Sequence, residues 1–210
     1  MSTMHRLQLP LEEQTVRSLA LGDMVTLDGD IVITIGLPTH QRIMECIESG
    51  APPPIDLTHA AFFHLSNFSR DTADGAFEAL YLGTTTSTRF NAQMPAIIRA
   101  FGLRAVGGKG GLDLHCAQAM KEAGCVYLSF LGGASTLQSR SIKEVVAVGW
   151  KDLICQFRLV KLRVEGLGPA TVAIDAHGNS LYENLRREAD SRLPRIVDEL
   201  NQQRSTRLPK

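Results

Sequence analysis

Apolar and polar residues alternate through Met24–Gly36, MVTLDGDIVITIG, the period-two pattern of a half-buried strand. The Asp28-Gly29 pair at its middle predicts a β-hairpin there. Before it, Leu11–Leu19 carries helical spacing after Pro10 and stops at a Gly22-Asp23 turn. Beyond it the period lengthens. Ile43, Met44 and Ile47 share one helical face behind Pro38, which predicts a helix closing near Gly50. Ala51-Pro52-Pro53-Pro54 is a stiff connector. Ala60–Leu65 and Phe77–Leu82 then predict two strands around a polar loop, Ser66–Gly75.

The second half alternates between strand and helix. Helices are predicted over Thr88–Phe101 and Leu112–Ala123, and strands over Arg104–Val106 and Cys125–Phe130. Further strands follow near Glu144–Val148, Gln156–Val164 and Ala170–Ile174. A turn at Ala176-His177-Gly178-Asn179 precedes a charged helix from about Glu183 to Gln202. Strand–helix–strand alternation implies parallel strands, and the opening hairpin implies antiparallel ones. The expected fold is therefore α/β with a mixed sheet. Residues 1–20 form an N-terminal segment, 21–182 the domain, and 183–210 a helix and tail.

At 210 residues the chain has room for one medium domain with a sizeable core. Lys plus Arg and Asp plus Glu number 22 each, whereas nucleic-acid binders usually carry a basic excess. The longest apolar run, around Val145–Val148, is far short of a membrane span. The first twenty residues lack an apolar signal core, so a cytoplasmic protein with no membrane and no nucleic-acid partner is expected. Cys46, Cys116, Cys125 and Cys155 form no CxxC pair and no zinc-like spacing. Each reads as a small buried hydrophobe, and no metal site is expected on this chain.

Three glycine-bearing loops offer chemistry. In Gly83-Thr84-Thr85-Thr86-Ser87-Thr88-Arg89, five consecutive hydroxyl residues open a predicted helix and Arg89 follows them. Free amides, the helix dipole and a guanidinium fork all favour a carboxylate or phosphate. The alternative is an over-supplied helix cap. In Val106-Gly107-Gly108-Lys109-Gly110-Gly111, glycines can form an anion-binding nest with Lys109 as a point charge. It is not a P-loop, because Gly110 follows the lysine and Leu103 stands where the first glycine belongs. A flexible turn with a solvated lysine is equally compatible. The third, Phe130-Leu131-Gly132-Gly133-Ala134-Ser135-Thr136, permits close backbone approach to a ligand or makes only a tight turn.

His40, in the first turn of its helix, is placed to reach a ligand or to pack in the core. His59 and His64 border or occupy a strand, His177 lies in a turn, and His5 and His115 have no evident partner. No HExxH or GxSxG motif occurs.

Taken together, six segments in one order resemble the β-subunit or C-terminal domain of class I fumarases and L(+)-tartrate dehydratases. They are LGDMVTLDG (21–29), GLPTHQR (36–42), GTTTSTR (83–89), GGKGG (107–111), GGAS (132–135) and DAHGN (175–179), spread over about residues 20–185. The resemblance implies a swivelling β/β/α domain and a hydro-lyase that dehydrates or hydrates a small 2-hydroxy (di)carboxylic acid. It also implies a 4Fe-4S cluster on a separate α-type subunit, none on this chain, and an α2β2 hetero-oligomer. By position it assigns catalysis to Thr85, Thr86, Arg89 and Lys109. Substrate contacts fall to these four and to His40, Arg42, Gly83, Gly132 and Gly133. Three departures stand out. Gly36-Leu37 replaces the family's Arg-Asp, Thr84 replaces a proline, and Ala134-Ser135 replaces Pro-Ala. A non-catalytic carboxylate-binding or regulatory subunit, and a phosphoryl-ligand-binding domain, are the rival readings.

Overall fold

The computed structural model describes residues 3–73 and 77–207. In chain order these form β1 (Met4–Gln8), α1 (Glu13–Ser18), β2 (Met24–Ile33), α2 (Leu37–Ser49), β3 (Ala61–Phe63), β4 (Leu65–Asp71) and β5 (Phe77–Thr84). Then come α3 (Met94–Phe101), β6 (Ala105–Gly108), α4 (Leu114–Ala123), β7 (Val126–Phe130), α5 (Ser135–Ser139), β8 (Ile142–Gly149), β9 (Leu159–Ile174) and α6 (Leu181–Arg207). It is a mixed α/β fold with a mixed sheet, as the sequence predicts.

The main sheet runs β1-β2-β3-β6-β7-β9-β8, and β9 also pairs with β2. Strands β2, β3, β6, β7 and β9 therefore close on themselves. β2, β3, β6 and β7 are mutually parallel where they neighbour, while β9 is antiparallel to both β2 and β7. Period-two alternation sorts the side chains. Ala61, Phe63, Ala105, Val126, Leu128, Val160 and Leu162 point into one core. Phe62, Val106, Tyr127 and Leu159 point the other way, onto Ile43 of α2, Ile97 and Ile98 of α3, and Cys116 and Met120 of α4.

Several expected elements differ. The hairpin at Asp28-Gly29 is not formed, because β2 runs straight through with two register shifts against β9. Gly29 adopts φ 118° and lets Leu9 approach, whose Cβ would lie 2.9 Å from a Cβ added there. The expected polar loop is largely β4, hydrogen-bonded antiparallel to β5; its end at Gly75 lies outside the described residues. The helix expected over Thr88–Phe101 is split. Ser87–Phe90 is a 3-10 turn and α3 begins at Met94, with Pro95 in its first turn, where a missing amide costs nothing. The two strands expected over Gln156–Val164 and Ala170–Ile174 are one, β9, bent at Gly166 and Gly168 with φ 65° and 143°. Within the N-terminal segment, β1 joins the sheet beside β2.

Candidate functional site

His64 stands between β3 and β4, and its backbone joins two of the glycine-bearing loops. Its amide donates to the Gly107 carbonyl at 2.7 Å, and its carbonyl accepts from Thr85 at 2.9 Å. Thr86 and Lys109 form a parallel bridge, flanked by Lys109 N to Thr85 O (2.9 Å) and Ser87 N to Lys109 O (2.8 Å). The lysine amide is thus spent on a carbonyl and is not available to an anion nest. Gly107 and Gly108 instead allow close packing. A Cβ at Gly107 would lie 2.8 Å from the Leu128 carbonyl, and one at Gly108 would lie 2.9 Å from the Thr85 carbonyl. Gly110 and Gly111, both at φ 78°, turn the chain towards α4, which Asp113 caps by accepting from Cys116 N at 3.0 Å.

The hydroxyl residues diverge in their surroundings. Thr84 is buried and its Oγ1 donates towards the Leu131 carbonyl (3.3 Å), with Gln138 Oε1 at 3.1 Å, so the turn at Gly132-Gly133 is tied to this loop. Ser87 is wholly buried, 2.8 Å from both His64 Nδ1 and the Tyr127 hydroxyl. The side chains of Thr85 and Thr86 make no hydrogen bond among the described residues. Arg89 is exposed, lies over the Phe90 ring at 5.6 Å, and among the described residues hydrogen-bonds only the Thr86 carbonyl, at 3.5 Å. Lys109 is also exposed. Neither cation meets a carboxylate among the described residues, whereas Arg6, Arg17, Arg99, Arg104, Arg158 and Arg163 all do. A Cβ at Gly132 would lie 3.5 Å from Lys109 Cδ and 3.8 Å from its Nζ, while Gly133 faces open space. Gly83 packs on Ser66, whose hydroxyl donates to its carbonyl at 3.0 Å.

Residues 2–185, a span that holds every loop above, match the family model described as Fumarase C-terminus. The chain belongs to this family. It is 31% identical over 188 residues to a provisionally named L(+)-tartrate dehydratase subunit beta of Methanocaldococcus jannaschii, covering 89% of this chain and 95% of that protein. It is likewise 31% identical over 195 residues to the L(+)-tartrate dehydratase subunit beta of Escherichia coli K12, covering 92% of this chain and 94% of that one. A provisionally named class I fumarate hydratase of Geobacillus stearothermophilus is 33% identical over 192 residues; these are 91% of this chain but 36% of that longer protein.

In this member of the fumarase C-terminus family, the remaining candidates sit differently. His40 is 0% exposed; its Nδ1 lies 2.7 Å from the Gly36 carbonyl and its ring stacks on Phe90 at 4.0 Å. Burial lowers its pKa from 6.5 to about 4. His64 is also 0% exposed, with its Nε2 3.3 Å from that of His40; burial first, then the repulsion a proton on it would meet from a protonated His40 and from Arg89, holds its pKa well below the usual value. Arg42 forks onto Asp152 at 2.9 and 2.5 Å and would have to leave it to grip an anion. Sequence reasoning did not single out Ser87 and Tyr127, nor give His64 a role. The available signal was alternation, which puts His64 on the same strand face as Phe62 and opposite Phe63.

Beside Arg89, a cleft of about 220 Å³ is lined by Ile35, Leu37, Pro38, Phe90 and Phe157. Gly36 permits it, since a Cβ there would lie 2.7 Å from Phe157 Cβ and 3.0 Å from its Cα. The cleft thus pairs one cation with apolar walls. Burial pushes the Cys116 and Cys125 thiols up, away from the thiolate form a cluster requires. No group of three or more His, Cys, Asp or Glu capable of holding a metal occurs among the described residues, so these residues do not fit a cluster on this chain.

Proposed function

We propose that this chain is the β-type subunit of an iron–sulfur-dependent hydro-lyase acting on a small 2-hydroxy acid. One observation carries the reading. Lys109, a partner in the bridge that joins the Thr85-Thr86 segment to the glycine–lysine loop, and Arg89, three residues beyond Thr86, are two cations without carboxylate partners among the described residues. An unpaired guanidinium offers a carboxylate a planar fork, and an ammonium beside small glycines offers a point charge with room around it.

Dehydration breaks a carbon–oxygen bond at one carbon and removes a proton from the next, leaving the electron pair as the new double bond. Negative charge grows on the substrate carboxylate as the proton leaves. Arg89 and Lys109 would stabilise that charge, where fixed cations act most strongly. Thr85 and Thr86 supply hydroxyl oxygens for proton transfer, and cations nearby favour an alkoxide over an alcohol. His40 and His64 do not serve as base, because both rings are enclosed and already bonded. A 4Fe-4S cluster on an α-type partner would supply the Lewis acid for the departing hydroxyl. The relatives named as beta subunits support such a partner; a cytoplasmic assembly of two α and two β chains is part of the same proposal.

The cleft sharpens the substrate. Its walls are apolar beside a single cation, which suits an acid with one carboxylate on Arg89 and an alkyl substituent towards Leu37 and Phe157. The same feature favours a second reading, a carboxylate-binding subunit without turnover, since an anchoring cation at position 36 is replaced by Gly36. Anaerobic reconstitution with the α-type partner separates the two. Turnover of a hydroxy acid supports the hydro-lyase; saturable binding with no product supports the binding subunit.

A further inference from the structure

The buried polar chain beneath the candidate site runs in one direction only. The Gly36 carbonyl can only accept, so the His40 Nδ1 lying 2.7 Å from it carries a proton. In a neutral ring the His40 Nε2 is then a bare acceptor, and the His64 Nε2 at 3.3 Å must donate to it. That leaves His64 Nδ1 bare, and it accepts a hydrogen bond from the Ser87 hydroxyl across 2.8 Å. The Ser87 oxygen in turn accepts from the Tyr127 hydroxyl at 2.8 Å. Because the chain ends on a carbonyl, it cannot pass a proton onward. It is a tie between elements, not a wire.

What it ties is specific. Gly36 leads into α2, His64 borders β3, Ser87 lies in the middle of the Thr85–Arg89 turn, and Tyr127 belongs to β7. The His64 backbone also bonds both Gly107 and Thr85. With His64 in its Nε2–H tautomer, a proton added to His40 would set two N–H groups against each other between the rings. The groups facing the pair are Phe62, Phe90, Ser87 and the Arg89 charge, with no carboxylate among them to offset a positive ring. The histidines therefore hold one protonation pattern and, through it, one orientation of Ser87.

We propose that His64 is a positioning residue for the candidate site: in its Nε2–H tautomer it locks Ser87 and so fixes the turn that presents Thr85, Thr86 and Arg89. The part of this that concerns substrate rests on the hydro-lyase reading; the part that concerns the turn does not.

Two-bond proton–nitrogen spectra of the ¹⁵N-labelled full chain at neutral pH read the tautomers directly. His40 is expected protonated on Nδ1 and His64 on Nε2, both neutral; the opposite tautomer at either ring, or an imidazolium, overturns the network. In the Ser87→Ala chain, amide exchange of Thr85, Ser87 and Lys109 is expected to speed up at least about tenfold as the turn loosens. Unchanged exchange overturns the positioning role whether or not any acid is turned over. In the reconstituted enzyme, His64→Leu and Ser87→Ala are expected to raise KM at least about tenfold with a smaller change in kcat. His64→Gln, which keeps a donor and an acceptor, should stay within about threefold of the parent. Loss of rescue by glutamine, or unchanged KM in Ser87→Ala, counts against the proposal. A wild-type pair without turnover would sink the hydro-lyase reading alone, because the spectra and the exchange rates still decide this one.

Discussion

Thr86 and Lys109 face each other across an isolated parallel β-bridge, with Lys109 N bonded to Thr85 O and Ser87 N to Lys109 O on either side. Two loops far apart in sequence are thereby held in a single register. Slipping by one residue would exchange which side chains face outward. The placement of Arg89 and Lys109 relative to the threonines is set by main chain.

Arg89→Ala and Lys109→Ala should each lower turnover by about 100-fold or more if they stabilise charge in the transition state. Both side chains are exposed and unpaired among the described residues, so melting temperatures should hardly move. Steady-state kinetics on the reconstituted pair, with circular dichroism melts alongside, separates a chemical loss from a folding one. Wild-type turnover in both variants would remove them from the site.

Gly108→Ala tests the register itself. The added methyl would press on the Thr85 carbonyl, 2.9 Å away, and on the Ser87 hydroxyl, so a cost of about 1–3 kcal/mol is expected. Gly133→Ala meets no atom within 4 Å and should be nearly neutral. Urea midpoints of the two variants should differ clearly; equal midpoints would mean that the bridge yields to an added methyl and does not fix the register.

Acid should weaken the fold before the carboxylates titrate. In the unfolded chain His40 takes a proton near 6.5, but in the folded chain not until about 4. Between those values the unfolded state binds more protons, so stability is complete above 6.5 and falls as the pH drops. The slope is about 1.4 kcal/mol per pH unit for each such ring, or about 3 kcal/mol in all for His40. His64 adds to it in the same direction. Paired carboxylates such as Asp23 and Asp30 lie below their usual 3.8, so their contribution is lost only at lower pH. Denaturant midpoints at pH 7.5, 6 and 5 should decline in order, and a flat series would contradict the buried neutral pair.

Leu37→Ser should change preference more than stability. Leu37 is 44% exposed at the mouth of the cleft, so the fold should tolerate the change. An apolar pocket discriminates by about 1–3 kcal/mol per methylene, so alkyl-substituted acids should lose kcat/KM by about tenfold or more relative to unsubstituted ones. An unchanged ratio across the acid series would place the cleft outside the substrate site.

Much of the fold was legible because the pattern is local. The α2 helix has Pro38 at its start and Gly50 left-handed at its end, at φ 72°, where the sequence places both. Errors arose where tertiary contacts overrode local signals. Asp28-Gly29 has hairpin chemistry, yet β9 pairs along both halves of β2 and keeps it straight. β4 reads as loop because LSNFSRD is polar; its pairing with β5 and the Arg158–Asp71 fork, at 2.7 and 3.2 Å, hold it in place. In the candidate site, the glycine and threonine motifs advertised themselves. The interior role of His40 did not, since one histidine in a first helical turn gives no sign of which way its ring points. Recognising the His40–His64–Ser87 chain requires knowing that residues 24 and 23 positions apart meet.

Whether this chain serves a hydro-lyase is decided by anaerobic co-expression with an α-type hydro-lyase subunit, followed by a dehydration assay over a panel of 2-hydroxy acids. The panel holds L-tartrate, L-malate and alkyl-substituted acids such as citramalate, read by absorbance of the alkene or by oxo-acid formation. The expected result is turnover of at least one acid, lost in Arg89→Ala, with alkyl-substituted acids favoured. A stable, cluster-loaded complex that turns over none of them would contradict it.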